Sequence, residues 1–63
     1  MTYYSIAVQF DKGDKFSLQF GDYDREVVVQ EVEDSYADAH KVRIVRSGDT
    51  TSEINTAISK LNA

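Results

Sequence analysis

The side chains of this sequence that could act as nucleophiles, bases or metal ligands do not form a recognised catalytic or metal-binding pattern. His40 is the only histidine, and Asp38 would lie on a different side of a helix because residues two apart do not face each other. Asp22 and Asp24 have the spacing of half a calcium-binding loop, but the glycine and distal glutamate of that loop are missing. No serine lies in a G-x-S-x-G context. We therefore predict no catalytic residue, no metal site, no cofactor and no enzymatic activity.

The strongest chemical feature is the negative charge of residues 22–39. Seven acids against one arginine give this stretch a net charge of -6, and three basic residues follow within 41–46. A field of this kind steers a partner of opposite charge, and exposed tyrosine is enriched at protein interfaces. The predicted partner-binding residues are five acids and two tyrosines: Glu26, Glu31, Glu33, Asp34, Asp38, Tyr3 and Tyr23. A solvated helix face without a partner is the alternative interpretation of the same charges.

Length and composition predict one small domain over residues 1–63. A chain this short buries only about 60% of its unfolded surface, but a hydrophobic content of 41% is ample for a folded core. The absence of cysteine excludes disulfides, so we predict a cytoplasmic location. The amino terminus lacks the basic region of a signal peptide, and no apolar run approaches the ~18–20 residues of a membrane span. We therefore predict no association with a membrane.

Two alternating segments predict a β-hairpin at the amino terminus. Apolar and polar residues alternate through 3–10 and again through 15–20, and Gly13 lies in the turn between them. The predicted apolar face is formed by seven side chains: Tyr4, Ile6, Val8, Phe10, Phe16, Leu18 and Phe20. This face is too apolar to remain in water and must be covered by helices.

Residues 22–40 predict a helix that begins at Asp22 as N-cap. Its apolar stripe comprises Val28, Val29, Val32, Tyr36 and Ala39. The three consecutive valines of 27–29 favour a strand instead, because β-branched residues lower helix propensity. A strand over Glu26–Val32 would have no cleanly apolar face, so the helix is the main prediction and the strand its alternative.

The remaining residues predict a strand and a second helix. Residues 41–46 place Val42 and Ile44 inward, and Thr50 with Glu53 forms a capping box at the start of a helix over 51–61. The apolar stripe of that helix is formed by four residues: Ile54, Ala57, Ile58 and Leu61.

The predicted fold is a small α+β domain with the element order β-β-α-β-α. The helical crossover makes strands two and three parallel, with strand one between them, which gives a three-stranded sheet in the order 2-1-3. Both helices are predicted to lie on one face. The other face would be open and would display Tyr3, Ser5, Ala7, Gln9, Lys15, Ser17, Gln19, Lys41, Arg43 and Val45. If Glu26–Val32 is a strand, the alternative is a four-stranded antiparallel meander with one C-terminal helix.

The predicted function is that of a non-enzymatic protein-binding module, an inhibitor or modulator of the kind that viruses and mobile elements encode against host proteins. Its partner would present a basic surface to the acidic helix face. A first alternative is a self-assembling structural subunit, a homodimer formed through a sheet edge or through the open sheet face; strand two, with one lysine, is the less protected edge. A second alternative is a nucleic-acid-binding module on the open sheet face, against which the net charge of -4 argues.

Overall fold

The computed structural model describes all residues, 1–63, and contains five elements. They are β1 (Thr2–Gln9), β2 (Ser17–Asp22), α1 (Arg25–Ser35), β3 (Lys41–Gly48) and α2 (Thr51–Leu61). The sheet has the order β2-β1-β3, and β1 is antiparallel to both neighbours. The predicted α+β class, the order of the elements and the order of the strands are confirmed. Residues 26–32 are helical, so the four-stranded alternative is not adopted.

The turn of the amino-terminal hairpin is longer than the alternating pattern predicts. Gly13 has a φ of 95°, and the backbone N–H of Asp14 donates to the carbonyl of Asp11 at 3.1 Å. The side chain of Gln9 donates to the carbonyl of Asp14 at 2.7 Å. These local bonds delay the start of β2 to Ser17. Phe10 is left at the edge of the turn, where it is 49% exposed, so its predicted place in the core is wrong.

A β-bulge changes the orientation of β2 partway along its length. Ile6 is paired with Phe20, whereas Ala7 is paired with Leu18, which makes Gln19 the extra residue. Directly paired residues share a face of a sheet, so Leu18 lies on the side of Ala7 and not on the side of Ile6. The prediction that Leu18 and Phe20 share one apolar face is therefore wrong, because an inserted residue breaks strict alternation.

The central strand β1 is buried on both of its faces. Residues 5–8 are each at most 1% exposed, although successive side chains point to opposite sides of a sheet. Ile6 and Val8 pack against Val28 of α1, and no apolar residue of α2 belongs to this cluster. The opposite face, with Ser5 and Ala7, is consequently covered by α2. The prediction that both helices lie on one face is wrong.

The overall dimensions agree with one helix on each face of the sheet. The Cα atoms extend over 31 × 27 × 11 Å. The shortest dimension matches three strands at a spacing of about 4.8 Å, and the 27 Å dimension matches a helix, a sheet and a second helix stacked in layers.

Helix α1 is shorter than predicted at both ends, and the prediction of Asp22 as its N-cap is wrong. Its N-cap is Asp24, whose carboxylate accepts the N–H of Glu26 at 2.9 Å, and Asp22 accepts the N–H of Asp24 at 2.8 Å. The helix ends at Ser35, five residues before the predicted end at His40. The N–H of His40 donates to the carbonyl of Phe10 at 3.3 Å, so the chain has already joined β1 at that point.

Helix α2 is fixed at both of its ends. Thr50 is the N-cap as predicted: its hydroxyl oxygen accepts the N–H of Glu53 at 3.1 Å and its O–H donates to the carboxylate of Glu53 at 2.8 Å. At the other end, the Asn62 side chain accepts from the N–H of Phe16 at 2.7 Å and donates to its carbonyl at 2.9 Å. This pair of bonds ties the end of α2 to the start of β2. Neither helix has the length and apolar character needed to span a membrane.

The hydroxyl of Ser5 is buried under α2 without a hydrogen-bond partner. A buried polar group without a partner costs about 1–3 kcal/mol. We expect Ser5→Ala to raise the free energy of unfolding by about 1 kcal/mol in urea denaturation followed by circular dichroism. Ser17→Ala is the matched control and should be neutral or destabilising, because the Ser17 hydroxyl donates to the carbonyl of Val8 at 3.3 Å. A loss of stability in Ser5→Ala would contradict this prediction.

Candidate protein-binding surface

The acidic surface consists of the five predicted acids on and after α1: Glu26, Glu31, Glu33, Asp34 and Asp38. The helix turns them outward because Val28, Val32 and Tyr36 pack toward the sheet on its other side. Four of the five are exposed and Glu31 is half-buried. Asp38 lies beyond the end of the helix, in the turn that leads to β3.

No basic side chain neutralises the acidic surface. The only ion pair of the domain joins the amino group of Met1 to Asp49 at 3.8 Å, outside this surface. Gln30 donates to Asp34 at 3.1 Å and Ser35 donates to Glu31 at 3.0 Å. Both donors are uncharged, so the bonds orient the two carboxylates but leave their negative charge uncompensated.

Val27 is an apolar residue in the middle of these charges. It is 43% exposed, whereas its neighbour Val28 is completely buried. Helical spacing of i, i+3, i+4 and i+7 places Val27 on one strip with Gln30, Glu31 and Asp34. No binding role was predicted for Val27, although its position off the apolar stripe of α1 already distinguished it from the valines of the core.

Tyr3 and Tyr23 lie together. Their rings form an edge-to-face pair with centroids 5.0 Å apart. Tyr3 is on the same face of β1 as Ser5 and Ala7, which is the α2 side of the sheet. A Cβ atom at Gly21 would lie 2.5 Å from the Tyr3 ring, so only glycine fits beneath it. Tyr3 is therefore separated by the sheet from the α1 acids, whereas Tyr23 directly precedes Asp24, the N-cap of α1.

Tyr23 also contacts the loop that precedes α2. Its hydroxyl donates to Asp49 at 3.2 Å. That hydrogen bond, together with the negative charge of the carboxylate, raises the pKa of Tyr23 above its ordinary value. The same carboxylate attracts the amino group of Met1, so Asp49 links the amino terminus to this tyrosine pair.

The acidic side chains do not form a metal cage. No three residues among the His, Cys, Asp and Glu of the chain lie close enough together to hold a metal ion. The one groove of the domain lies away from the acidic surface, between β3 and α2. The acidic surface is thus an exposed, charged patch that includes one exposed apolar side chain, a form that suits contact with another macromolecule and not enclosure of a small ligand.

The sheet face that was predicted to be open is occupied by α2. Ser5 and Ala7 are buried, and Tyr3, Gln9 and Val45 are half-buried. Ser17 was also predicted on this face, but it is paired with Val8 and lies on the α1 side. The homodimer and nucleic-acid alternatives that used this face therefore lack the surface they require. Lys15, Lys41 and Arg43 remain exposed.

No family model, curated protein or solved structure matches this chain.

Proposed function

We propose that this domain is a non-enzymatic protein-binding module that binds a basic surface of a partner protein through its acidic surface. The observation that carries the proposal is the group of five acids without a basic partner, together with the exposed side chain of Val27 on the helical strip of Glu31 and Asp34. Charge of one sign raises the rate of association with an oppositely charged surface. Burial of Val27 in the complex would add the apolar contact that charge alone does not provide.

The way in which α1 is anchored supports this role. Val28 is completely buried against Ile6 and Val8, and Val32 and Tyr36 pack beside it. The outward carboxylates are consequently presented by a helix held to the sheet, and little conformational entropy of the backbone is lost on binding. The complementary partner would present lysine or arginine side chains around a shallow apolar recess.

A module of this kind acts by occupying a surface, so we propose that it inhibits or modulates the protein it binds. The small size and the acidic character agree with modulators that viruses and mobile elements encode against host proteins. That source and a cytoplasmic location are proposals that rest on size and composition alone.

Removing two charges from the acidic surface tests the proposal. We expect Glu33→Gln with Asp34→Asn to reduce the recovery of bound proteins from a lysate of the source organism by about tenfold, because both acids are exposed and central to the patch. Quantitative mass spectrometry of proteins retained by the immobilised domain measures the effect. Capture by the native domain should also weaken with added salt, since screening shortens the range of surface charges.

A matched variant separates the position of the charges from the net charge. Asn55→Lys with Ser59→Lys, at exposed positions of α2, raises the net charge of -4 by the same two units. This variant should retain capture. Equal losses in both variants would show that only the net charge matters, and unchanged capture in Glu33→Gln with Asp34→Asn would exclude the acidic surface. Circular dichroism confirms that each variant is folded.

A further inference from the structure

The outer edge of β3 presents unpaired backbone groups. The N–H of His40 donates to the carbonyl of Phe10, and from there the register of β1 and β3 continues without a bulge to Thr2 and Gly48. Alternate residues of an antiparallel strand bond to the same neighbour. Residues 42, 44, 46 and 48 therefore face β1, and the N–H and C=O groups of Lys41, Arg43, Val45 and Ser47 face away from it.

A groove runs along this edge, because α2 lies beside β3. The groove has a volume of about 470 Å³ and is open to solvent. Its strand side is formed by residues 45–48. Its helix side is formed by Ser52, Glu53, Thr56, Ala57 and Lys60, most of which are short side chains. A free strand edge beside a helix with small side chains has space for one extended polypeptide segment.

The charge around the groove is the reverse of that on the acidic surface. Residues 41–63 contain four bases against two acids, whereas residues 1–40 contain three bases against nine acids. Lys60 lines the groove, and Arg43 lies on the same face of β3 through its pairing with Ala7. The one acid of the groove, Glu53, is held by the hydroxyl of Thr50. Pairing of β3 with β3 of a second copy would bring like charges together, which is unfavourable between strands. An acidic strand would meet opposite charges instead.

We propose that this groove binds an extended acidic segment of a partner protein, which adds to the sheet as a fourth strand beside β3. The segment would exchange main-chain hydrogen bonds with Arg43, Val45 and Ser47. Its acidic side chains on the α2 face of the sheet would contact Lys60 and Arg43, which shares that face through its pairing with Ala7. The opposite edge of the sheet is less suited, because β2 is shorter and is distorted by the bulge at Gln19. The site lies apart from the acidic surface and selects a partner of opposite charge.

Amide hydrogen exchange of the whole domain, measured by NMR, tests the proposal with a defined probe. The probe is an acetylated eight-residue peptide of alternating glutamate and threonine, which combines negative charge with strand propensity. In the free domain, we expect the amides of Ile44 and Arg46 to exchange slowly and those of Arg43, Val45 and Ser47 to exchange fast. Saturating peptide should slow the three fast amides by about tenfold or more.

Two control peptides separate strand addition from simple attraction of charges. A peptide with lysine in place of glutamate should not bind, and neither should the glutamate peptide with alternate amides N-methylated, since it cannot pair with a strand edge. Binding of the N-methylated peptide, or binding of the glutamate peptide without protection of Arg43, Val45 and Ser47, would overturn the proposal. Protection of these amides in the peptide-free domain, rising with protein concentration, would show that a second copy occupies the edge and would overturn it as well.

Variants of the domain complete the test. Ser47→Pro removes one outward N–H without removing a bond to β1, and proline is tolerated on the free side of an edge strand. It should weaken peptide binding about tenfold, whereas Ser47→Ala should stay within about twofold of the native affinity. Lys60→Glu, on the exposed surface of α2, is a second variant that does not alter the strand and should also weaken binding about tenfold. Unchanged affinity in both Ser47→Pro and Lys60→Glu would exclude the groove, and Glu33→Gln with Asp34→Asn should bind the peptide normally.

Discussion

Ile6→Ala is expected to lower the free energy of unfolding by about 3 kcal/mol. Ile6 is completely buried at the centre of β1, in one cluster with Val8 and Val28. Removal of its side chain leaves a cavity between the sheet and α1 that neither layer can easily fill. A domain of 63 residues has a total stability of roughly 3–9 kcal/mol, so this substitution removes a third or more of it. Urea denaturation followed by circular dichroism measures the loss.

Val27→Ala is the matched control for this prediction. It also shortens an apolar side chain, but Val27 is exposed on α1, so the change in stability should stay within about 0.5 kcal/mol. If Ile6→Ala were no more destabilising than Val27→Ala, the cluster of Ile6, Val8 and Val28 would not be the core of the domain.

Ala7→Leu is expected to lower the free energy of unfolding by about 1–3 kcal/mol. Ala7 is completely buried on the face of β1 that α2 covers, so the added carbon atoms can be accommodated only if α2 moves away from the sheet. We expect the amides of α2 to lose protection from hydrogen exchange while those of α1 keep theirs. On an open sheet face, the same substitution would meet only water.

Ala37→Leu provides the comparison, because Ala37 is exposed in the turn after α1 and the added side chain remains in solvent there. Its effect should be within about 0.5 kcal/mol. A native-like stability of Ala7→Leu would contradict the placement of α2 over Ser5 and Ala7. A loss of protection spread evenly over both helices would contradict the local nature of the effect.

The parts of the fold that sequence predicts correctly are those that depend on neighbouring residues. Alternation from Tyr4 to Val8 identifies β1, and Thr50 with Glu53 identifies the start of α2. The order of the strands follows from the helical crossover between β2 and β3, which leaves β1 in the centre. Each of these predictions rests on periodicity, capping or connectivity, and none requires knowledge of what packs against a given face.

The face covered by α2 could not be predicted in the same way. The alternating pattern shows that Ser5 and Ala7 are smaller and less apolar than Ile6 and Val8. Small residues occur both on a sheet face covered by a helix and on a sheet face exposed to water, so the pattern does not distinguish the two. The bulge at Gln19 leaves no mark in the alternation of β2. The face against which α2 packs is decided by contacts across the whole assembly, and no local pattern reports them.

The predictions for the candidate binding surface divide in the same way, into those that depend on local spacing and those that depend on packing. The grouping of Glu26, Glu33 and Asp34 follows from helical spacing within α1, and the structure places them together. The distance of Tyr3 from these acids depends on which side of the sheet each element occupies. The groove beside β3 requires both the pairing of β3 and the position of α2, so no local pattern indicates it.

Burial of β1 on both faces also affects how the chain is made. β1 leaves the ribosome before α2, and Ala7 is not covered until Ile58 of α2 has been synthesised. At about 5–20 residues per second, the intervening residues take roughly 3–10 s. During that time the most apolar strand of the domain is available to chaperones and to other nascent chains. The net negative charge that accumulates through α1 gives the unfinished polypeptide electrostatic repulsion from its copies during that interval.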